Sequence, residues 1–216
     1  MRSDIVPGAP FPDFVLPDHT KTLRRLSELQ GDDPLVLVLS RGFFCPKDRE
    51  HLHELVRFYP QLVVGFTRIV TITTDDWHPI NNLRQQLNAP WPFLYDEARI
   101  VQKDLDIREY TDTEHDIMIP HTLLLRPGLV VERVWNGYWY WGRPSMAELH
   151  DVLRKVTRDI RPDWDITTPA MRAQWSRGEK DAFFPYGRKD MTQVLREMAG
   201  AVDQYARPAD PEAGRA

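Results

Sequence analysis

The sequence predicts an α/β fold in which a central mixed β-sheet is flanked by helices on both faces. Residues 35–39 are a continuous apolar run, as expected of a strand buried on both faces, and residues 68–73 are a second run rich in β-branched residues. The segment between them has the apolar spacing of a helix. A hairpin pattern follows at residues 122–135. Strands that alternate with helices before a closing hairpin indicate this layered architecture.

The N-terminal third of the chain begins with a short predicted edge strand at residues 14–16 and a helical turn at 26–29. A long helix is predicted to follow Cys45, because Pro46 suits the first helical position, where no backbone N–H is needed. We expect Pro60 to end that helix. Its apolar face is formed by Leu52, Leu55, Val56 and Tyr59.

The later elements continue the alternation. The capping box formed by Ser145 and Glu148 predicts the start of an amphipathic helix. The turn between the two hairpin strands is Arg126-Pro127-Gly128. The other predicted ranges are a helix at 79–87, a strand at 93–95, a helix at 97–105, and strands at 122–125 and 129–135.

Three regions are expected along the chain. Residues 1–160 form the α/β domain, and residues 161–205 form a C-terminal helical extension. Within the extension, residues 161–187 are predicted to be irregular and residues 189–205 to form an amphipathic helix. Residues 206–216 are expected to be a disordered tail.

Composition excludes several classes of function. The 216 residues are 42% hydrophobic and 28% charged, with a net charge of −4, which argues against nucleic-acid binding. No apolar stretch approaches 18 residues, so no membrane span is expected, and the N-terminus lacks the apolar core of a secretory signal. A single cysteine excludes an intramolecular disulfide and suits a reducing compartment. The expected location is therefore the cytoplasm.

Cys45 is the candidate for chemistry because it stands between a buried strand and the start of a helix. Free N–H groups and the helix dipole favour the thiolate there, and the thiolate is the nucleophilic form of cysteine. Arg41, Lys47 and Arg49 add positive charge nearby in sequence. The alternative is that Cys45 is a small buried hydrophobic residue. The residues alone leave both interpretations open.

Three motifs resemble those of one family. Residues 41–46, Arg-Gly-Phe-Phe-Cys-Pro, are similar to the R-G-x-W-C-P turn of peroxiredoxin-like proteins of the AhpC/TSA (redoxin) group. Residues 8–18 resemble the G-x-x-A-P-D-F-x-L-x-D opening of that superfamily. Residues 119–122, Ile-Pro-His-Thr, resemble the cis-proline loop of thioredoxin-fold proteins. The similarity covers roughly residues 8–158, with the motifs in the expected order.

The resemblance implies a thioredoxin-like fold with Cys45 as the redox cysteine and a cis Pro120 that faces it. It also implies a thiol-dependent antioxidant oxidoreductase that reduces a peroxide or a disulfide without a cofactor. Because no second thiol is present in the chain, an external thiol has to restore Cys45. That reductant is expected to be a thioredoxin-like protein or a low-molecular-weight thiol.

The chain departs from the family pattern at several positions. Asp48 stands where thioredoxin-type sites have a second cysteine, and its charge competes with the thiolate. Val38 and Gly42 occupy the proline and threonine positions of the peroxiredoxin pattern. Pro120 and His121 stand where peroxiredoxins carry an arginine. These departures support a second hypothesis, a redox-inactive thioredoxin-fold binding module.

Other candidate residues leave alternatives open. His121 is either an acid, base or thiolate partner, or a loop histidine. No metal site is expected, since His51 and His53 point to different faces of a helix. Residues 135–142 hold five aromatic residues, which form either a substrate or homodimer surface or a layer beneath the C-terminal extension. The candidates for that surface are Trp135, Tyr138, Trp139 and Trp141.

Overall fold

The structure is a computed structural model that describes residues 1–139, 141–183 and 190–206. Strands and helices follow one another largely in the predicted order. The strands are β1 (Val15–Pro17), β2 (Leu23–Arg25), β3 (Leu35–Ser40), β4 (Arg68–Thr73), β5 (Phe93–Tyr95), β6 (His121–Arg126) and β7 (Val130–Asn136). The helices are α1 (Leu26–Gln30), α2 (Pro46–Val64), α3 (Trp77–Leu87), α4 (Ile100–Asp104), α5 (Met146–Ile160), α6 (Pro169–Ser176) and α7 (Met191–Ala206).

The central sheet has the strand order β5-β4-β3-β6-β7. Strand β3 runs parallel to β4 and antiparallel to β6, so the sheet is mixed, as predicted. Strands β1 and β2 form a separate two-stranded sheet. The ladder between β6 and β7 is irregular between Leu124 and Leu125.

Helices cover both faces of this sheet, which confirms the predicted architecture. Every residue of β3 is buried. Val36 and Val38 pack on one face with residues of α2, α3 and α5. Leu35, Leu37 and Leu39 pack on the other face with residues of α1, α4 and the N-terminal segment. The alternation of side chains along one strand therefore joins two apolar cores.

Helix α2 does not end at Pro60, and that expectation was wrong. The helix continues to Val64, although proline cannot donate the backbone hydrogen bond of a helix interior. Leu62, two residues further on, is fully buried in the core. The N–H of Gly65 donates to the carbonyl of Gln61 at 2.9 Å and closes the last turn. Burial of Leu62 offsets the hydrogen bond that Pro60 lacks.

The C-terminal extension contains more helix than expected. Helix α6 and two short 3-10 helices, at residues 162–164 and 180–182, lie in the region predicted to be irregular. The Oγ1 of Thr168 accepts a hydrogen bond from the N–H of Met171, which caps α6. Helix α7 packs against α2. Within the predicted ranges, residues 184–189 and 207–216 lie outside the described residues. In the parts of the chain that are described, no helix has the length and apolar character needed to cross a membrane.

Four chain segments leave the central sheet at the same end. Ser40 at the end of β3 is in register with Thr73 at the end of β4. Leu39 pairs with His121, the first residue of β6, and His121 pairs with Asn136, the last residue of β7. The segments attached to these four strand ends therefore meet around the chain that follows β3, which contains Cys45.

Candidate active site

Cys45 occupies the N-cap of α2, where sequence analysis places it. Its backbone is extended, and Pro46 is the first residue of the helix. The N–H of Cys45 donates to the Gly42 carbonyl at 3.3 Å, and its carbonyl accepts from the N–H of Arg49 at 3.1 Å. The side chain is only 2% exposed. The thiol thus lies at a helix N-terminus, at the end of a tight turn formed by residues 41–45, which we call the cysteine turn.

Asp75, from the segment after β4, holds this turn. Its Oδ2 accepts a hydrogen bond from the N–H of Phe43 at 2.7 Å, and its own N–H donates to Thr73 Oγ1 at 2.8 Å. Gly42 has a φ of +113°, and a Cβ there would lie 2.5 Å from Asp75 Oδ2. Burial raises the pKa of Asp75, although the Phe43 hydrogen bond opposes that shift. Glycine is required at this position by both backbone geometry and space.

Asp48 lies in the first turn of α2 and binds Arg143, a residue that sequence analysis did not single out. Arg143 Nε donates to Asp48 Oδ1 at 2.8 Å, and Nη2 contacts the same oxygen. Asp48 Oδ2 accepts from the N–H of Arg41 at 2.7 Å and from Ser40 Oγ at 3.2 Å. Arg143 Nη1 also donates to the Gly137 carbonyl at 2.7 Å. The carboxylate that was expected to compete with the thiolate is therefore paired with a guanidinium.

Arg41 points to the segment that precedes β6. Its Nε lies 3.0 Å from Glu109 Oε2, and its Nη2 lies 3.7 Å from Asp112 Oδ2. The ring of Phe44 stacks on the ring of His115, with centroids 4.0 Å apart and planes 6° from parallel. His115 Nδ1 is 3.2 Å from each carboxylate oxygen of Asp112. Two residues of the cysteine turn are thus attached to one loop.

His121 is buried at the start of β6. Its Nδ1 lies 2.8 Å from the carbonyl oxygen of Ile119, and because a carbonyl only accepts, Nδ1 carries the proton. Burial lowers the pKa of His121 to about 4, against the opposing effect of the Ile119 carbonyl. The side chain is therefore neutral near pH 7. It holds the turn around Pro120, whose carbonyl accepts from the N–H of Gly137 at 2.8 Å.

A second buried histidine, His51, faces the sheet from α2. Its Nε2 is 3.3 Å from Thr122 Oγ1, which joins the helix to β6. Burial, and secondarily the positive charge of Arg143, lowers the pKa of His51 to about 3. Among the described residues, its Nδ1 has no hydrogen-bond partner. The buried side of α2 near Cys45 thus contains a polar side chain, His51, that is neutral near pH 7.

The remaining candidates divide between the site and its surroundings. Arg49 donates from Nη2 to Gln86 Oε1 at 3.1 Å, and its Cζ lies 5.1 Å from the centroid of the Phe43 ring. Trp135 is buried, and its Nε1 donates to Glu148 Oε1 at 2.8 Å. The other three aromatic candidates are on the surface of the loop that follows β7. Tyr138, Trp139 and Trp141 are 45%, 70% and 97% exposed.

Sequence analysis did not identify two residues that are far from the cysteine turn in sequence but stabilise it by direct contacts. Arg143 and Asp75 become neighbours of the cysteine turn only because strands β4 and β7 end at the same side of the sheet. A lone arginine between a glycine and a proline carries no pattern of its own. Across the described ranges, no group of three histidine, cysteine, aspartate or glutamate side chains is arranged to hold a metal ion.

Comparison with protein-family models shows which family the chain belongs to. The model of the AhpC/TSA family matches residues 7–134, which is more than half of the chain. The chain belongs to the AhpC/TSA family. The match includes the cysteine turn, the segment with Pro120 and His121, and all but the end of β7. Membership of this family supports thiol-dependent peroxide reduction. No curated protein matches the chain in sequence.

Solved structures of peroxiredoxins share this AhpC/TSA fold. Peroxidoxin BcpB from Mycobacterium tuberculosis is 22% identical with a TM-score of 0.60, over 72% of this chain and 97% of that one. Reduced Prx3 from Vibrio vulnificus, in complex with H2O2, is 20% identical with a TM-score of 0.59, over 70% and 98%. The yeast mitochondrial 1-Cys peroxiredoxin is 13% identical with a TM-score of 0.58, over 70% and 74%. These similarities show a thioredoxin-like peroxiredoxin fold.

Proposed function

We propose that this protein is a thiol-dependent peroxidase that uses Cys45 as its single redox cysteine and an external thiol as reductant. The observation that carries the proposal is the position of the thiol. Cys45 occupies the N-cap position of α2, five residues after the buried strand β3 ends at Ser40, and a helix N-terminus favours the thiolate. Family membership supports the same chemistry.

The proposed cycle needs three balanced steps. The Cys45 thiolate attacks one oxygen of a hydroperoxide, the O–O bond breaks, and the leaving alkoxide takes up a proton to give an alcohol or water. Cys45 becomes a sulfenic acid. An external thiol then displaces water and forms a mixed disulfide, and a second thiol releases Cys45 as the free thiol together with the external disulfide.

Hydrogen bonds from neighbouring segments fix the backbone of the cysteine turn. Asp75 accepts the N–H of Phe43, and Asp48 accepts the N–H of Arg41. Arg143 pairs with Asp48, so the acidic residue in the first turn of α2 is compensated by a guanidinium. A lone free cysteine of this kind suits a reducing compartment, and we propose the cytoplasm as the site of action.

The test compares wild type with Cys45→Ser in a peroxide-consumption assay supplied with a thiol. We expect wild type to consume hydroperoxide and to show one sulfenic acid by dimedone trapping and mass spectrometry. The Cys45→Ser protein should do neither, while its thermal unfolding stays close to that of wild type. Equal consumption by both proteins would exclude the proposal.

A redox-inactive binding module is the second candidate, and one observation favours it. Tyr138, Trp139 and Trp141 are exposed together on one loop, and contiguous aromatic surface is typical of interaction sites. This candidate predicts that Cys45 in the folded protein reacts with neither hydroperoxide nor iodoacetamide. The dimedone experiment therefore separates the two functions.

A further inference from the structure

The loop that follows β7 exposes three aromatic side chains to solvent. Tyr138, Trp139 and Trp141 are 45%, 70% and 97% exposed, and no other large hydrophobic side chain that the structure describes is as exposed as Trp141. The rings of Tyr138 and Trp139 meet edge to face, with centroids 6.2 Å apart and planes at 81°. We call these three side chains the aromatic patch. Exposed aromatic side chains grouped on one loop are typical of a surface that binds another molecule.

Hydrogen bonds within the chain hold this loop in place. Arg143 Nη1 donates to the Gly137 carbonyl at 2.7 Å. The N–H of Gly142 donates to the Trp139 carbonyl at 3.1 Å. The chain also passes so close to itself that a Cβ at Gly142 would overlap the Asn136 carbonyl. A loop that is fixed before it binds loses little conformational entropy on binding, so the aromatic patch is prepared for a partner.

The size of the aromatic patch argues against a protein partner. Its exposed fractions amount to about two whole aromatic side chains, or roughly 300–500 Å² of surface. A stable protein interface needs about 800 Å² on each partner, supplied by many residues of complementary shape. Attachment to a lipid bilayer requires no complementary shape, and its strength grows with the apolar area that is inserted. A bilayer is therefore the partner that a patch of this size fits.

The charges around the patch indicate which kind of bilayer surface it fits. Residues 136–142 contain no acidic or basic side chain, and Arg143, which follows them, is paired with Asp48. The whole chain has a net charge of −4, so an anionic lipid surface repels it. Tryptophan and tyrosine combine an apolar ring with one polar N–H or O–H group and concentrate where a bilayer meets water.

We propose that the aromatic patch attaches this protein reversibly to the surface of a zwitterionic lipid bilayer, with the rings at the level of the headgroups. The attachment is peripheral, and it is independent of the function proposed above. The loop follows β7 at the end of the sheet that also carries the cysteine turn. The bound protein therefore presents that end, with Cys45, toward the bilayer.

The test is co-sedimentation of the full chain with phosphatidylcholine vesicles. We expect the bound fraction of wild type to rise with lipid concentration. In Trp139→Ser/Trp141→Ser, the partition coefficient should fall roughly 10-fold or more, because binding depends on inserted apolar area. Tyr110→Ser is the control, since Tyr110 is 85% exposed but lies outside the patch, and it should bind like wild type. Absence of wild-type binding, or equal binding by wild type and the double variant, would overturn the inference.

A second measurement locates the inserted side chains. The chain contains seven tryptophans, and bromine atoms on lipid acyl chains quench the fluorescence of those that enter the bilayer. We expect brominated phosphatidylcholine to quench part of the wild-type emission and none of the emission of the double variant. The same quenching in both proteins would place the contact elsewhere and contradict the proposal. Urea unfolding of the double variant should match wild type, because the replaced rings are exposed.

Two further outcomes distinguish other partners. Addition of phosphatidylserine to the vesicles should not strengthen binding, and a large increase would mean that a cationic surface, and not the aromatic patch, makes the attachment. The other alternative is a second copy of this chain. If wild type is a dimer by analytical ultracentrifugation, the double variant is a monomer and neither binds vesicles, the aromatic patch is a protein interface. That result would replace our inference.

Discussion

Asp48 and Arg143 are 95 positions apart in sequence and form an ion pair that is almost fully buried. Arg143 also holds the Gly137 carbonyl, so one guanidinium joins α2 to the loop after β7. A buried ion pair is not in itself strong support for a fold, because desolvation offsets the attraction. Loss of one partner is different, since it leaves an uncompensated charge in the interior.

We therefore predict that Arg143→Met destabilises the protein by about 3–5 kcal/mol. The measurement is the free energy of unfolding in urea. Arg133→Met is the matched control, because Arg133 pairs with Glu148 at 3.3 Å with about half of its side chain exposed. Exposed pairs contribute roughly 0–1 kcal/mol. A similar small loss for both variants would show that Asp48 finds compensation elsewhere.

Gly42 has a backbone conformation and surroundings that exclude a side chain. At a φ of +113°, any side chain is strained, and a Cβ would also overlap the Asp75 carboxylate. Gly178 has a φ of +79° but no heavy atom within 4 Å of its ideal Cβ. We expect Gly178→Ala to cost about 1–2 kcal/mol for backbone strain alone.

The same substitution at Gly42 should cost more, because Asp75 has to give up its hydrogen bond to Phe43. We also expect Gly42→Ala, but not Gly178→Ala, to increase the alkylation rate of Cys45. Equal losses of unfolding free energy in the two variants would mean that the Asp75 contact has no energetic weight.

Single residues of the site differ in how far sequence predicts them. The local sequence predicts the position of Cys45 and Pro46, because a buried strand, a thiol and a helix start follow one another in the chain. The sequence also shows Asp48, but it does not show that the charge of Asp48 is paired with Arg143. No local pattern contains that partner, since two strands and their loops have to be folded before the two side chains meet.

At the scale of elements, the loop before β6 is fixed to the cysteine turn through stacked rings. Phe44 and His115 lie nearly parallel at 4.0 Å, and Arg41 binds Glu109 in the same loop. Aromatic pairs contribute about 0.5–1.5 kcal/mol beyond the area they bury. We therefore expect the stack to limit how often the segment beside Cys45 opens.

We predict that His115→Ala increases the rate of Cys45 alkylation by iodoacetamide roughly 2- to 10-fold, as expected for the loss of one aromatic pair. Tyr110→Ala is the control from the same loop, because the Tyr110 side chain is 85% exposed. This control should leave the rate unchanged. If both variants react like wild type, the loop does not limit access to the thiol.

Elements were predictable from sequence where burial determined them. Residues 35–39 are apolar and residues 68–73 are rich in β-branched side chains, because the strands they form are covered on both faces. The predicted ranges agree closely with β3 and β4. Strand β2, with the sequence Leu-Arg-Arg, is largely exposed and has no such pattern. Pro60 failed as a stop signal because tertiary packing of Leu62 outweighs a local preference.

For the whole molecule, burial of two neutral histidines makes stability depend on pH. The pKa of His51 is lowered to about 3 and that of His121 to about 4, both by burial, from an ordinary value of about 6.5. Below pH 6.5, the unfolded chain takes up protons on these residues while the folded chain does not. Stability is therefore fully present above pH 6.5 and is lost as the pH falls toward 4.

We predict that the free energy of unfolding is lower at pH 5 than at pH 7 by roughly 2 kcal/mol for each of these two histidines. Asp75 and Asp96, whose pKa values burial raises, take up protons in the folded state and oppose this loss. Urea unfolding at the two pH values measures the difference.

His51→Gln and His121→Gln should each remove about half of the histidine contribution, and the double variant should remove it all, because glutamine does not titrate. An unchanged difference in the double variant would mean that other groups set the acid sensitivity. If His51→Gln reduces the difference between the two pH values and His121→Gln does not, His121 titrates as in the unfolded chain. The turn around Pro120 would then be open to solvent at pH 5.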